Sequence, residues 1–453
     1  MSFTSIDFLF LFIPLFFFFL ILFNKKKKII IIFFSVFFIY VIEENFVIYL
    51  CIICFFNFYI AKYIKKKFFL VTAILINLFI LIYFKYLNFF LDIFNLSNIN
   101  SIILPAGISF ITFHSISYLI DVYDKKILPE KKFSNFFLFI FMFPQVISGP
   151  ITRYSKVYKS INLLKNFYFK YGIYCILLGL FQKIIIADHL ALYVNEFYSD
   201  KNFLFGINGA DSLLVSFIYI FQLYFDFSGY SHIAIGLALI MGIRLPKNFN
   251  FPLSAFSISE FWKKWHISLS TFIRDYLFIK INKLFNIQAR ENTPKYFGSI
   301  VICMVLSGLW HGANFTFLIW GLIHGLLICL EKYFNFILLN RIILKIYFII
   351  SLSLSFIFFR SESINQAFTI IASIFENFNL NEMLIYQYFN IKFFLILCMC
   401  LFFSSKKNKL IIYNFRKFLI KNLFGRILLT LMLLFLFTEI LTQNYSPFIY
   451  FRF

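Results

Sequence analysis

The chain has 453 residues, of which 62% are hydrophobic and only 14% are charged, and its mean hydropathy is +0.86. Ordinary soluble domains are about half apolar and a quarter charged, so this composition excludes them and indicates a polytopic membrane protein. The formal net charge of +22 could suggest a nucleic-acid partner, but the lysines stand in short clusters between apolar runs. Membrane orientation explains such clusters better, and we expect no nucleic-acid partner.

Long apolar segments recur along the whole sequence, and several are shorter than the roughly 20 residues that a straight membrane helix needs. They lie at 6–23, 29–42, 46–60, 68–87, 103–120, 134–150, 170–187, 211–226, 230–243, 300–330, 342–359, 390–403 and 424–442. The pattern predicts an all-α, multi-pass membrane protein in which some helices are re-entrant or interfacial. No linker rich in Gly, Ser or Pro divides the chain, so we expect one integral membrane domain over 1–453.

Basic loops predict the orientation of these segments. KKKK at 25–28, KYIKKK at 62–67, DKKILPEKK at 124–132 and KKNKLIIYNFRKFLIKN at 406–422 can all be cytoplasmic, as the positive-inside rule requires. Both chain termini are then expected on the opposite side. The first apolar run lacks a basic region before it and a small-residue cleavage site, so it is predicted to be a membrane helix and not a removable signal peptide.

Polar residues inside apolar segments are expensive in lipid and are therefore candidate functional residues. His114 lies in ITFHSISYLIDVY, and Gln145 lies in the Pro- and Gly-broken stretch FPQVISGP. Asp226 and Ser228 lie in YFDFSGYSHIAIGLALIMGIRLPKNFNFP at 224–252, which we expect to be a broken helix. Each break alone is most simply a kink or a close helix contact. Together with the charged groups, the breaks favour a water-lined substrate pathway that includes these four residues.

His311 is the strongest single candidate for catalysis. It stands in SGLWHGAN between two glycines, with apolar sequence on both sides and Trp310 beside it. A lone histidine in a helix is more often a packing residue. Here the glycines allow a substrate or another backbone to approach closely, and burial favours the neutral imidazole that a general base needs.

FWKKWHISLSTFIRDY at 261–276 mixes aromatic and charged residues around His266. The tryptophans and lysines are typical of an amphipathic helix at the cytoplasmic interface, with its rings at headgroup depth. That interpretation does not explain His266, Arg274 and Asp275, which are candidates for a reactive face. His324, in the more ordinary helix IWGLIHGLL, is expected to make a packing or interhelical polar contact.

Other chemistry is not indicated by the sequence. CIIC at 51–54 has no second cysteine pair nearby and lies in an apolar run, so we predict neither a disulfide framework nor a metal site. Sequence signatures of soluble hydrolases, P-loop enzymes and zinc proteases are absent.

An ordered series of motifs is highly specific. RLPKNFNFP, EFWKKWHISLSTFIRDYLF and SGLWHGANFTFLIWGLIHG, together with FITFHSISYLIDVY, MFPQVISGPITRY and YFDFSGYSHIAIG, resemble the membrane-bound O-acyltransferase (MBOAT) family over essentially the whole chain. The similarity is greatest to the bacterial alginate and peptidoglycan O-acetyltransferase branch, near the D-alanyl lipoteichoic acid transfer proteins. Gln182, where relatives often have lysine, is a local departure.

The resemblance implies a bundle of about eleven transmembrane or re-entrant helices around a central funnel or tunnel. It implies His311 as the catalytic histidine and His266 as its functional companion. It also implies an acetyl donor such as acetyl-CoA, whose phosphates Lys263, Lys264 and Arg274 could bind.

The resemblance further implies transfer across a bacterial inner membrane to a periplasmic SGNH-type partner or to an envelope polysaccharide, with peptidoglycan ahead of alginate. D-alanyl transfer to teichoic acid is a second enzymatic possibility. A transporter or flippase for a polysaccharide or an acyl donor is the alternative from another class, since broken helices and a cavity would suit it too.

Overall fold

The structure is a computed structural model that describes residues 2–96, 102–147, 149–164, 168–199, 206–284, 293–336, 340–381, 383, 390–442 and 448. These residues form helices joined by turns and short extended segments, and none of the described residues is in a β-strand. The predicted all-α class is confirmed. By their contacts, the residues divide into unit 1 (residues 1–180, 229–247 and 430–453) and unit 2 (residues 181–228 and 248–429). The expectation of a single domain over 1–453 stays a prediction.

The helices of unit 1 begin with a π-helical stretch at Asp7–Phe12 and then follow in chain order. They are α1 (Ile13–Leu22), α2 (Lys27–Ile42), α3 (Val47–Ile60), α4 (Lys67–Ile93), α5 (Ile108–Tyr123), α6 (Phe133–Phe141), α7 (Phe143–Val146), α8 (Tyr154–Leu163) and α9 (Phe169–Leu180). Single 3₁₀ turns lie at Asn24–Lys26 and Glu44–Phe46.

Unit 2 begins with a π-helical stretch at Phe181–Ala187 and carries a second one at Ile273–Phe278. Its helices are α10 (Asp188–Phe197), α12 (Ile258–Trp262), α13 (Ile267–Phe272), α14 (Ile279–Leu284), α15 (Pro294–His311), α16 (Phe315–Tyr333), α17 (Arg341–Arg360), α18 (Ile364–Glu376), α19 (Ile391–Ser404) and α20 (Lys409–Lys421). The helices α11 (Gly209–Met241) and α21 (Leu423–Thr442) contribute residues to both units. Single 3₁₀ turns lie at Pro252–Ser254 and Lys406–Asn408.

Six helical stretches in the described residues are long and apolar enough to cross a membrane. They are Lys67–Ile93, Phe169–Phe197, Gly209–Met241, Phe315–Tyr333, Arg341–Arg360 and Leu423–Leu441. The bent pair Asp7–Leu22 and Asn24–Ile42, with 102° between its helices, is a broken span or a re-entrant loop and would make seven. The chain is therefore a multi-pass membrane protein, whereas the count of about eleven transmembrane or re-entrant helices stays a prediction.

The helix break expected over 224–252 is present, but it lies after Met241, where Gly242 has φ +86°, and α11 runs unbroken through Asp226 and Ser228. The glycine that follows them serves helix packing. A Cβ atom on Gly179 of α9 would lie 2.5 Å from the carbonyl oxygen of Gly229, so the two backbones are in close contact there. The break at 143–150 is confirmed, since α6 ends at Phe141 and only the short α7, which contains Pro144, follows it.

The single amphipathic helix expected over 261–276 is also wrong. The chain there forms α12, a turn over 263–266, α13 and the π-helical stretch from Ile273. The rings of Trp262 and Trp265 do not lie at a lipid interface, because they are buried within the protein at 8% and 2% exposure. His266 and Ser268 are thus brought inside unit 2, whereas Lys263 and Arg274 stay exposed.

Candidate active site

The turn that carries His266 is held by an extended segment just upstream. The backbone N–H of Ile267 donates to the carbonyl oxygen of Asn248 at 2.9 Å, and the N–H of Asn250 donates to the carbonyl oxygen of Lys264 at 3.0 Å. His266 itself has φ +39° and ψ +52°, a left-handed conformation that is strained for a residue with a side chain. Backbone pairing on both sides of the turn maintains this conformation.

The imidazole of His266 is completely buried and is bound on one edge by Asn248 and Ser268. Its Nδ1 lies 3.1 Å from Oδ1 of Asn248, and the Ser268 hydroxyl lies 2.8 Å from the same oxygen. Its Nε2 is buried without a hydrogen-bond partner among the described residues. Burial lowers the pKa of His266 to about 3, so the ring is neutral at physiological pH.

His311 ends α15, immediately before Gly312, and is only 1% exposed. Its ring centroid lies 6.4 Å from that of His266 and 5.0 Å from that of Trp310, which in turn lies 6.1 Å from the ring of His266. The structure therefore brings together both predicted catalytic histidines and Trp310. A hydrogen bond between the two imidazoles is not present.

Aromatic side chains surround the histidine pair. Phe227 packs edge-on against His266 at 4.7 Å, while Trp320 and Phe359 lie 5.2 and 5.3 Å from His311. Such an apolar lining disfavours charged imidazoles and strengthens any hydrogen bond made to a substrate. The two histidines are thus suited to act as neutral acceptors.

His324 makes a structural contact, as its sequence context predicts. The indole N–H of Trp262 donates to Nδ1 of His324 at 3.3 Å, and Nε2 lies 3.1 Å from the hydroxyl of Ser355. Because Nδ1 accepts, Nε2 carries the proton and donates to Ser355. Both ring nitrogens are satisfied, and the contacts tie α12, α16 and α17 together.

Glu331 fixes the start of α12. Its carboxylate accepts hydrogen bonds from the backbone N–H groups of Ile258 and Ser259, at 2.5 and 2.8 Å, and from the hydroxyl of Tyr347 at 3.2 Å. A carboxylate at a helix N-terminus satisfies backbone donors that the helix leaves open. This bond positions the segment that leads to His266.

A cavity of about 230 Å³ lies in unit 2 beside this segment. Two of the predicted donor-binding residues, Lys263 and Arg274, line it, and Lys332 adds a third cation. Ser307, one helical turn before His311, also lines it and has a buried hydroxyl without a partner among the described residues. The lining joins cations to the helix that carries His311, an arrangement suited to an anionic ligand with a long arm.

The remaining charges of the 261–276 segment are paired. Lys264 bonds Glu260 at 2.6 Å and the Ser254 hydroxyl at 3.2 Å, and it does not line the cavity. Arg274 bonds its neighbour Asp275 at 2.7 Å. Asp275 therefore neutralises a cavity cation, whereas Lys264 is held at another place.

Asp226 and Ser228 bind the π-helical stretch of unit 2. The ammonium of Lys183 lies 2.7 Å from Asp226 and 2.6 Å from Asp188, and the hydroxyl of Ser228 donates to Oε1 of Gln182 at 3.1 Å. These buried contacts tie α11 to the start of unit 2. A role for Asp226 and Ser228 along a substrate pathway stays a prediction.

His114 and Gln145 lie in unit 1 and contact each other. Nε2 of Gln145 lies 3.0 Å from Nε2 of His114, which also accepts the backbone N–H of Thr152 at 3.0 Å. The histidine thereby anchors the backbone that follows the break after Pro144. These contacts are structural, and a pathway role for the two residues stays a prediction.

Comparisons with known proteins agree with this arrangement. The family model described as MBOAT, membrane-bound O-acyltransferase family, matches residues 128–338, which include both histidines. The probable alginate O-acetylase AlgI of Pseudomonas aeruginosa is 34% identical over 399 residues, which are 83% of this chain and 75% of the relative. The chain belongs to the membrane-bound O-acyltransferase family.

Two further relatives extend the range of acceptors named within the family. The peptidoglycan O-acetyltransferase of Helicobacter pylori is 31% identical, over 70% of this chain and 67% of the relative. The teichoic acid D-alanyltransferase of Bacillus subtilis is 31% identical, over 51% of this chain and 59% of the relative. As an MBOAT protein similar to these enzymes, the chain is an O-acyltransferase.

Three residues of this MBOAT chain were not singled out from the sequence. Asn248 lies 18 residues before His266, and only the fold brings their side chains together. Lys332 lies in the last turn of the long apolar helix α16 and looks like an ordinary helix-end lysine. Lys183 could have been found, because a lysine inside an apolar helix requires a partner.

Proposed function

We propose that this O-acyltransferase is an acetyltransferase of the bacterial inner membrane. It takes an acetyl group from a cytoplasmic thioester, acetyl-CoA, and passes it to a hydroxyl on the periplasmic side. The acceptor is a periplasmic SGNH-type partner or directly an envelope polysaccharide, with peptidoglycan ahead of alginate. The larger share of the chain aligned with acetyltransferases, compared with the D-alanyltransferase, supports acetyl over D-alanyl.

The reaction needs a group that removes the hydroxyl proton. In the proposed step, His311 takes this proton while the hydroxyl oxygen attacks the thioester carbonyl. A C–O bond forms, the C–S bond breaks, and the thiolate recovers the proton from the imidazolium. A positioned base contributes roughly 10²- to 10⁴-fold to such a step. His266, 6.4 Å from His311 between ring centroids, is proposed as the companion that positions a substrate group.

The cavity of unit 2 supports a phosphate-bearing donor. Lys263, Arg274 and Lys332 supply cations at its wall, and Ser307 continues the wall toward the helix turn of His311. Guanidinium and ammonium groups bind phosphates through charge-assisted hydrogen bonds. An acetyl-CoA molecule would place its charged part at the cations and its flexible arm along α15.

The observation that carries this proposal is the buried, aromatic-lined histidine pair beside a cationic cavity in an MBOAT chain. This histidine pair does not support the transporter alternative, because transport does not require a neutral base at the end of a helix.

The proposal is tested by His311→Ala in cells that carry the native acceptor. Acetate is released from purified peptidoglycan and exopolysaccharide by mild alkali and measured, with the membrane level of the protein as control. We expect ester-linked acetate to fall to background at an unchanged protein level. Wild-type levels of acetate in both polymers of the variant would exclude His311 as the base. Loss of ester-linked D-alanine in place of acetate would show that the transferred acyl group is D-alanine.

A further inference from the structure

The side-chain oxygen of Asn248 is the common partner of His266 and Ser268. It lies 3.1 Å from Nδ1 of His266, 3.3 Å from the backbone nitrogen of Ser268 and 2.8 Å from the Ser268 hydroxyl. Asn248 is 1% exposed, so water does not compete for these contacts.

These contacts determine which nitrogen of His266 carries the proton. A backbone N–H can only donate, so the atom of Asn248 that faces Ser268 is the carbonyl oxygen and not the amide nitrogen. A carbonyl oxygen can only accept, and therefore Nδ1 of His266 must donate to it. The Ser268 hydroxyl donates to the closer Asn248 oxygen, so toward Nδ1, 3.4 Å away, its oxygen can act only as an acceptor of Nδ1–H.

We propose that Asn248 is a positioning residue that holds His266 as the Nδ1–H tautomer and so presents Nε2 as a hydrogen-bond acceptor. The tautomer follows from geometry alone, whereas its catalytic consequence rests on the proposed function. A second observation points to a ligand. Nε2 is the buried ring nitrogen that has no partner among the described residues, and a buried acceptor of this kind is unfavourable until a donor reaches it.

The tautomer also selects the substrate group that His266 can contact. A bare Nε2 accepts a hydrogen bond but cannot donate one, so it cannot stabilise the carbonyl oxygen of the thioester or protonate the leaving thiolate. The group that it contacts must carry a proton of its own, such as an amide N–H of the donor or a second hydroxyl of the acceptor that does not attack, because the single proton of the attacking hydroxyl goes to His311. The left-handed backbone of His266 is then a strained conformation retained to aim this atom.

The first experiment reads the tautomer without any assay of activity. The full chain, labelled with ¹⁵N-histidine and purified in detergent micelles, is studied by long-range ¹H–¹⁵N correlation at pH 7, and His266→Gln identifies the signal. We expect protonated Nδ1 and bare Nε2 in the wild type and in Asn248→Asp, which keeps an acceptor. Asn248→Leu should shift the population toward the Nε2–H tautomer, while Asn365→Leu on the exposed face of α18 should not.

The second experiment measures ester-linked acetate in the envelope and its transfer in membrane vesicles as a function of pH. Asn248→Leu should lower the rate on the order of 10²-fold, and Asn365→Leu should leave it unchanged. Asn248→Asp should retain most of the rate at pH 7. As the pH is lowered, this variant should lose activity earlier than the wild type, because a carboxylate beside the ring raises the pKa of His266 and favours the imidazolium. Of the ring neighbours Phe227, Trp310 and His311, only the last can titrate alongside His266.

The two experiments fail in distinguishable ways. A wild-type His266 signal with protonated Nε2, or a tautomer unchanged in Asn248→Leu, overturns the assignment of Asn248 whatever the reaction is. The expected tautomers with an Asn248→Asp pH profile identical to that of Asn365→Asp would overturn the positioning role. If the chain proves not to transfer acetyl groups, the tautomer assigned to His266 is unaffected.

Discussion

The imidazole rings of His266 and His311 lie 6.4 Å apart between centroids, and both contact the indole of Trp310. Neither ring hydrogen bonds to the other. A separation of this size leaves room for an oxygen of the substrate between the two rings, which would make them parts of one catalytic unit.

Residues that act as a unit have non-additive effects, which gives the first prediction. We expect His266→Ala and His311→Ala each to lower acetyl transfer by roughly 10²- to 10⁴-fold. The double variant should be little worse than the more severe single variant. The measurement is transfer of labelled acetyl from acetyl-CoA in membrane vesicles at matched protein levels. Losses that multiply in the double variant would mean that the two rings work independently.

The sequence indicates some of this site correctly because local patterns decide those parts. An apolar helix with one histidine, as at His324, must satisfy its ring nitrogens from neighbouring helices, and it does so through Trp262 and Ser355. Pro144 interrupts a helix wherever it stands, so the break near it was also predictable.

Other parts depend on tertiary contacts that a sequence does not show. Gly229 lies between the predicted apolar segments 211–226 and 230–243, yet α11 continues through it and packs closely on Gly179 there. The aromatic residues at 261–276 look interfacial, but backbone pairing of Asn248 and Asn250 with the His266 turn places this segment inside unit 2. Hydropathy alone could not distinguish burial in protein from contact with lipid.

The cavity cations give a second prediction, which concerns the affinity for the donor. Replacing Lys263, Arg274 or Lys332 with glutamine should raise the KM for acetyl-CoA roughly fivefold each, since partly exposed ion pairs contribute up to about 1 kcal/mol. The kcat should change little.

Lys264→Gln is the control variant for this prediction, because Lys264 pairs with Glu260 away from the cavity. The measurement is the initial rate as a function of acetyl-CoA concentration, at low and high salt, which gives the KM of each variant. Equal effects from all four would argue against a phosphate site at this cavity.

His324 should affect stability more than catalysis. In His324→Leu the indole N–H of Trp262 is left buried without its acceptor, which costs about 1–3 kcal/mol. Adding Trp262→Phe removes the stranded donor, so the double variant should regain part of the loss. Thermal unfolding in detergent measures both variants. A double variant less stable than the sum of the two single changes would contradict the assigned hydrogen bond.

The buried charges around Lys183 provide a fourth prediction. Lys183→Met removes the cation that lies within 2.7 Å of both Asp188 and Asp226 and leaves two carboxylates buried together. Breaking a buried ion pair in this way costs about 3–5 kcal/mol. Asp226→Asn keeps a polar partner and the Lys183–Asp188 pair, so it should be far milder. The two variants are compared by thermal unfolding and by their level in membranes, and similar losses from both would show that the charges are not coupled.

The stability of the fold should depend on pH through His266. Burial lowers the pKa of this ring from 6.5 to about 3, so above pH 6.5 the ring is neutral in both the folded and the unfolded chain and contributes no pH dependence. As the pH falls below 6.5, the unfolded chain binds a proton that the folded chain does not, and stability is lost until the pH reaches about 3. The slope for one such group is about 1.4 kcal/mol per pH unit, or about 2 kcal/mol lost by pH 5.

His266→Gln cannot take up this proton, whereas every other titrating group is common to both proteins. Unfolding midpoints of the wild type and of His266→Gln should therefore diverge in slope between pH 7 and pH 5, with the wild type falling more steeply. Parallel lines over this range would mean that the imidazole of His266 is reached by water in the folded protein and titrates normally.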